Sequence, residues 1–128
     1  MVDTSALYPM LIRMSSDGSL KLLPRLTIMD LTKYELGNVV LYDRKVKDAS
    51  KLLSSWQIIL DSMNKEEARN MKEVYETASK NNVTFYDGAY VQVAKASKCK
   101  LVTMDAEIVT KFKELTLDPD DLANVVSE

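Results

Sequence analysis

The chain has 128 residues, 46% hydrophobic and 28% charged, with 19 acids against 17 bases, no histidine, one cysteine, three glycines and three prolines. That suits one globular domain, residues 1–128, able to bury on the order of two-thirds of its unfolded surface without disulfides or structural metal. The missing histidine excludes Ser-His-Asp and Cys-His triads, His-ligated zinc and imidazole bases, while Gly18, Gly37 and Gly88 are too scattered for a phosphate-cradling loop.

In chain order, Met1-Val2 reads as a strand ended by Asp3, followed by a helix from Ala6 to Met14 and a turn at Ser15-Ser16-Asp17-Gly18. Asp30 reads as the N-cap of a helix through LTKYELGNVVLYDRK, with Gly37 tolerated inside it at about 1 kcal/mol relative to alanine. Glu35 shares a face there with Leu31, Asn38 and Tyr42, a spacing that turns it toward protein. Ala49, Leu52, Leu53, Trp56, Ile59, Leu60 and Met63 make KDASKLLSSWQIILDSM an amphipathic helix with a core or dimer face. A further helix is predicted over NKEEARNMKEVYETASK, capped by Asn64, with Glu66 and Glu67 at its positive end and a buried stripe of Ala68, Met71, Val74, Tyr75 and Ala78. Asn81-Asn82 ends it.

Val83-Thr84-Phe85 reads as a strand, and Asp87 opens a helix through Tyr90, Val91, Ala94 and Ala96. Lys100 to Met104 is a strand closed by Asp105, which starts a helix ending near Lys113. Glu114 to Leu117 is a last strand before an acidic tail, residues 118–128, whose Asp118, Asp120 and Asp121 read as solvated charge. Strands alternating with helices predict an α/β fold with a largely parallel sheet. No apolar run reaches the roughly 18 residues of a membrane span, and an acid at the third position is unlike a signal peptide, so a cytoplasmic protein is expected.

The informative pattern is where the acids fall. Asp3, Asp87 and Asp105 each follow a predicted strand, and the carboxyl edge of a parallel sheet is where ligands bind. Glu35 joins them if its helix packs over that edge. Each aspartate alone is explained as a helix cap, and Glu35 alone as surface charge. Together, in a chain with no other catalytic equipment, they form an all-oxygen set. Such a set selects a hard cation, Mg²⁺ or Mn²⁺, which offsets carboxylate repulsion and suits phosphodiester hydrolysis.

Val2-Asp3-Thr4-Ser5-Ala6-Leu7, Glu35-Leu36, Tyr86-Asp87-Gly88-Ala89-Tyr90 and Leu101-Val102-Thr103-Met104-Asp105 resemble the motifs of PIN domains, specifically the VapC-like toxin ribonucleases. The resemblance spans nearly the whole chain. It implies a three-layer α/β/α sandwich around a short central, mostly parallel sheet, and metal-dependent cleavage of RNA. Asp3, Glu35, Asp87 and Asp105 match the family's acidic quartet, the expected catalytic and metal-binding residues, and Thr4 or Ser5 and Thr103 match its hydroxyl positions. It also implies a homodimer inhibited by a VapB-like antitoxin. Two departures stand out: only Met1 and Val2 precede Asp3, and Gly88 stands where alanine is common, which is expected to keep the site open.

Net charge of −2 offers RNA no global attraction, so local bases are required. Arg13, Arg25, Lys33, Arg44, Lys45, Lys95, Lys98 and Lys100 are candidates, with Tyr8, Tyr34, Tyr42, Tyr86 and Tyr90 available for stacking or packing. Glu107 is a candidate accessory acid or a plain surface charge, and Cys99 a half-buried residue without a partner. Two rival readings are a catalytically silent PIN-like RNA-processing scaffold and a phospho-acceptor receiver domain. The second lacks the paired acids after the first strand and the lysine after a late one.

Overall fold

The computed structural model describes residues 1–17 and 19–122. Helix α1 (Thr4–Asp17) leads through a 3-10 helix (Ser19–Arg25) to strand β1 (Thr27–Met29), then α2 (Thr32–Tyr42), α3 (Ala49–Ser62) and β2 (Asn64–Glu66). Then come α4 (Met71–Asn81), α5 (Phe85–Ala96), β3 (Leu101–Val102), α6 (Ala106–Lys111), β4 (Thr116–Leu117) and a 3-10 turn (Pro119–Asp121). Both strand pairs, β1 with β2 and β3 with β4, are parallel. Val2 joins them, bridging in parallel to Val102 and donating its N–H to the Thr27 carbonyl at 2.9 Å. The order across the sheet is therefore β2, β1, the N-terminal segment, β3, β4.

The period-2 alternation of strands sorts the core into two layers. Val2, Ile28 and Val102 face one side, where they pack with Leu7 and Leu11 of α1, Leu36 and Val40 of α2, and Trp56 and Leu60 of α3. Their neighbours Met1, Met29 and Leu101 face the other side, with Val74 of α4, Val91 and Ala94 of α5, and Ile108 of α6. This is a three-layer α/β/α sandwich around a short parallel sheet. Among the described residues no helix is long and apolar enough to cross a membrane.

The α3 stripe is core, as its periodicity predicts: Trp56, Leu60 and Met63 are buried, and Ala49, Leu52, Leu53 and Ile59 pack partly buried against them. Other boundaries differ. No helix starts at Asn64; Asn64, Lys65 and Glu66 pair in register with Thr27, Ile28 and Met29 through the backbone, an exposed edge strand in which Lys65 Nζ also donates to the Leu60 carbonyl at 3.0 Å. Helix α4 begins six residues later, where Asn70 Oδ1 accepts the Glu73 N–H at 3.1 Å. Of its predicted stripe only Val74 and Ala78 are buried, Met71 and Tyr75 being 72% and 64% exposed. Asn82 ends α4 in the left-handed conformation that asparagine tolerates, φ 52°.

Val83 to Phe85 is not a strand. Val83 N–H turns back to the Ala78 carbonyl, and Thr84 is the N-cap of α5, so Asp87 belongs to a helical first turn. Asp30 does not cap α2, which starts from Leu31 and ends at Tyr42; it pairs with Lys33 at 3.6 Å instead. α1 runs through Ser15, Ser16 and Asp17, and Gly18, the last residue of the expected turn, lies outside the described residues. Asp118, Asp120 and Asp121 are exposed, as expected of solvated charge, yet the start of the tail is packed onto the fold. Asp118 caps the final 3-10 turn, Asp120 pairs with Arg13 at 3.2 Å, and Leu122 is buried in the core; residues 123–128 lie outside the described chain.

Candidate active site

Each predicted acid sits in the opening turn of a different helix. Asp3 opens α1: its carbonyl accepts the Leu7 N–H at 2.9 Å, while Oδ1 accepts from Ala6 N–H at 3.1 Å and Ser5 Oγ at 2.7 Å. Asp105 caps α6, its Oδ1 accepting the Glu107 and Ile108 N–H groups at 2.9 and 3.1 Å. Glu35 and Asp87 lie in the first turns of α2 and α5. The positive ends of these helices favour the negative charge.

Hydroxyls tie the acid-bearing segments together. Ser5 Oγ lies 3.2 Å from Thr103 Oγ1 and accepts the Met104 N–H at 3.0 Å, and Thr103 Oγ1 accepts the Asp105 N–H at 3.1 Å. Ser5 and Thr103 thus clamp the segment carrying Asp3 to the one carrying Asp105. On Glu35, Oε1 accepts from Thr4 Oγ1 at 3.1 Å and from the Tyr90 hydroxyl at 2.7 Å, which joins α1, α2 and α5. Glu35 turns inward as expected, but Asn38 and Tyr42 of its predicted face are exposed.

Electrostatics couples the acids. Asp3 is only 5% exposed, and that burial, more than the charge on Asp87, pushes its carboxyl above the ordinary range against the hydrogen bonds of Thr103, Ser5 and Ala6. Asp87, half-buried, is also raised, first by burial and then by Asp105, Glu35 and Glu107, with the Thr84 hydroxyl opposing. Asp87 is therefore the acid that feels the others. Glu107 acts on it from an exposed position, where it forms an ion pair of 2.6 Å with Lys111.

Among the described residues, no three acids or other metal-ligating side chains stand close enough to grip one ion directly. The donor set, all oxygen and short of positive charge, fits a hard ion that keeps several waters and takes one or two carboxylates directly, as Mg²⁺ does.

Two further residues join the hydrogen bonds around Glu35: Thr32, to which the sequence assigns no role, and Tyr90, a candidate for stacking or packing. Both are buried, with Thr32 Oγ1 2.7 Å from the Tyr90 hydroxyl. A signal existed: Thr32 precedes Glu35 by three residues, and Tyr90 follows Asp87 by three, one helical turn on the same face. Of the other aromatic candidates, Tyr8 donates to Asp43 and packs edge-on against Trp56, while Tyr34, Tyr42 and Tyr86 are exposed. Several candidate bases are engaged: Arg13 with Asp120, Lys33 with Asp30, Lys95 over the Phe112 ring, and Lys100 with the Glu114 carbonyl. Gly88 does not open the site; it is buried against α4. Cys99 is a half-buried free thiol at the margin of the second core layer.

The fold and its acidic edge define a class: a small three-layer α/β domain whose helix N-termini assemble a carboxylate site. The chain belongs to the PIN domain family, whose profile matches residues 1–115. It is 32% identical over 122 residues to "Exonuclease VapC9" of Pyrobaculum aerophilum, covering 88% of this chain and 85% of that one. "Ribonuclease VapC3" of the same organism is 30% identical over 93 residues, 68% of this chain and 71% of the relative. The crystal structure of PAE2754 from Pyrobaculum aerophilum superposes with a TM-score of 0.85 at 31% identity, covering 99% of this chain and 96% of that one.

Proposed function

We infer that this chain is a nuclease of the VapC-like PIN type, a metal-dependent endoribonuclease that hydrolyses RNA phosphodiester bonds. The observation that carries the reading is geometric: Ser5 and Thr103 clamp the segment of buried Asp3 to that of Asp105, while Thr4 and Tyr90 tie Glu35 to the helices of Asp3 and Asp87. The Asp87 carboxyl, raised first by burial and then by Asp105, Glu35 and Glu107, agrees with it. Asp3, Glu35, Asp87 and Asp105, gathered at one edge with no lysine or arginine among the described residues hydrogen-bonded to them, suit a cation as their counter-charge. The names of the relatives, a ribonuclease and an exonuclease, support the same class of chemistry.

In this reading Asp3, Glu35, Asp87 and Asp105 would hold Mg²⁺ or Mn²⁺, one or two of them directly and the others through its waters. When bound, the ion supplies positive charge that polarises a phosphoryl group and acidifies water. The chain's own residues do the rest. Ser5 and Thr103 orient Asp3, Thr4 orients Glu35, and Asp105 spends one oxygen on its capping bonds, leaving the other outside them. The VapC names of the relatives agree with a toxin role and a VapB-like antitoxin as partner, and the proposal extends to a homodimer in the cytoplasm, as the family resemblance implies.

The test is cleavage of a defined RNA by the purified protein with Mg²⁺, Mn²⁺ or EDTA. Asp87→Asn and Asp3→Asn are expected to abolish cleavage and keep the fold. Undiminished cleavage by either variant, or in EDTA, refutes the reading. A folded wild type that neither cleaves RNA nor binds Mn²⁺ supports the silent scaffold instead.

A further inference from the structure

We propose that Tyr90 is a positioning residue for Glu35, and that a hydroxyl relay anchored on the backbone of β1 aims this carboxylate at the ion; the inference rests on the metal-site reading above. The relay runs across three elements. Met29 N–H, at the end of β1, donates to Thr32 Oγ1 at 3.1 Å. Thr32 Oγ1 is 2.7 Å from the Tyr90 hydroxyl, which is 2.7 Å from Glu35 Oε1.

Proton counting sets the direction. Each hydroxyl carries one hydrogen. The Met29 N–H occupies an acceptor position on Thr32 Oγ1, and Thr32 then gives its own hydrogen to the Tyr90 oxygen. The phenol hydrogen is left for Glu35. The opposite polarity sends the phenol hydrogen to Thr32 and leaves two acceptors, the phenol oxygen and the carboxylate, facing each other at 2.7 Å. Only one direction satisfies every group, and among the described residues no buried side-chain polar atom lacks a partner.

Packing does not require this hydroxyl. Tyr90 is 2% exposed, and phenylalanine fills the same space without the cost of burying a polar group. What the hydroxyl adds is a second bond to Glu35 Oε1 beside that from Thr4, so one carboxylate oxygen is held from two sides and Oε2 lies outside both bonds. The relay also borders the other acids in sequence: Thr4 follows Asp3, and Tyr90 sits one turn beyond Asp87. A glutamate has three side-chain torsions to restrain before it can serve an ion in a defined place.

The test is calorimetric titration of Mn²⁺ into wild type, Tyr90→Phe, Thr32→Val and Thr32→Ser, with thermal unfolding of each metal-free protein alongside. Tyr90→Phe is expected to weaken Mn²⁺ binding about tenfold or more, the usual effect of losing a partner behind a metal ligand. Thr32→Val should weaken it less, because Tyr90 still reaches Glu35, and Thr32→Ser should restore wild-type affinity. Wild-type Mn²⁺ affinity in a folded Tyr90→Phe, whatever its melting temperature, overturns the proposal and makes Tyr90 a core residue only. Equal binding by Thr32→Val and Thr32→Ser overturns the relay. Should Tyr90→Phe fail to fold, the Thr32 pair decides alone. A wild type that takes up no Mn²⁺ refutes the metal-site reading itself, a result distinct from any difference among variants.

Discussion

Gly88→Ala tests whether the helix that carries Asp87 and Tyr90 is seated by close contact with α4. A methyl at position 88 stands 2.9 Å from Ala78 Cβ, 3.1 Å from the Val74 carbonyl oxygen and 3.3 Å from Ala78 Cα. Two of these neighbours are backbone and cannot rotate away. In a solvated helix the substitution gains about 1 kcal/mol of helix propensity. Overpacking a tight crossing costs about 1–3 kcal/mol, so the net expectation is a loss of about 0–2 kcal/mol. Ala78→Gly alone loses about 1 kcal/mol of propensity and about 0.8 kcal/mol for the buried methyl. In the double variant the new methyl enters the space vacated by the old one, so its loss falls short of the summed singles by about 1 kcal/mol, beyond the 0.3–0.5 kcal/mol or so expected of independent sites. Urea denaturation of the four proteins in EDTA measures this. A Gly88→Ala protein stabilised by the full propensity value, or additive singles, refutes the close-contact account.

Asp87→Asn should change the pH dependence of the metal-free protein. Burial, then Asp105, Glu35 and Glu107, raise the Asp87 pKa above its ordinary 3.8, so folding favours the protonated acid. Its contribution to stability is complete below that ordinary value and lost as pH rises through the raised one, so the variant gains on wild type toward neutrality; a pH-independent difference in melting temperature refutes this. Mn²⁺ at a hundredfold excess over its dissociation constant should stabilise wild type by about 2.7 kcal/mol and leave Asp87→Asn nearly unmoved, as read by thermal unfolding. Thr84→Ala removes the hydroxyl that accepts the Asp87 N–H at 3.1 Å and should cost about 1 kcal/mol in urea denaturation, with Thr84→Ser retaining most of it.

What the sequence disclosed follows from which forces shape each segment. The α3 stripe was legible because burial of Trp56, Leu60 and Met63 leaves a 3.6-residue period. Strand β2 was not, since Asn64, Lys65 and Glu66 are all exposed and joined to β1 by backbone alone, so no side-chain period records the pairing. Asp105 was placed correctly, between β3 and α6. Asp87 was singled out through a strand that does not exist: Val83-Thr84-Phe85 has the β-branched and aromatic character of one, yet it carries the end of α4 into the Thr84 cap of α5. Glu35 was assigned an inward face by spacing, but its real partners, Thr4 and Tyr90, come from other helices, a relation no local window contains.

The capping and functional readings of these acids turn out not to compete. Asp3 and Asp105 are both caps, and each does so through Oδ1. A carboxylate has two oxygens, so a cap can hold one against a helix end and leave the other for a ligand. The same helix ends supply partial positive charge where several carboxylates must coexist before any cation arrives. Asp87 marks the limit of that arrangement. It lies within the first turn of α5 rather than at its cap, accepts none of the helix's opening N–H groups, and bears the charge of Asp105, Glu35 and Glu107. Capping therefore accounts for where Asp3 and Asp105 sit, but Asp87 has no comparable structural duty. If the proposed ion binds, Asp87 is the acid whose neutralisation tests whether a carboxylate without a capping role serves the ion.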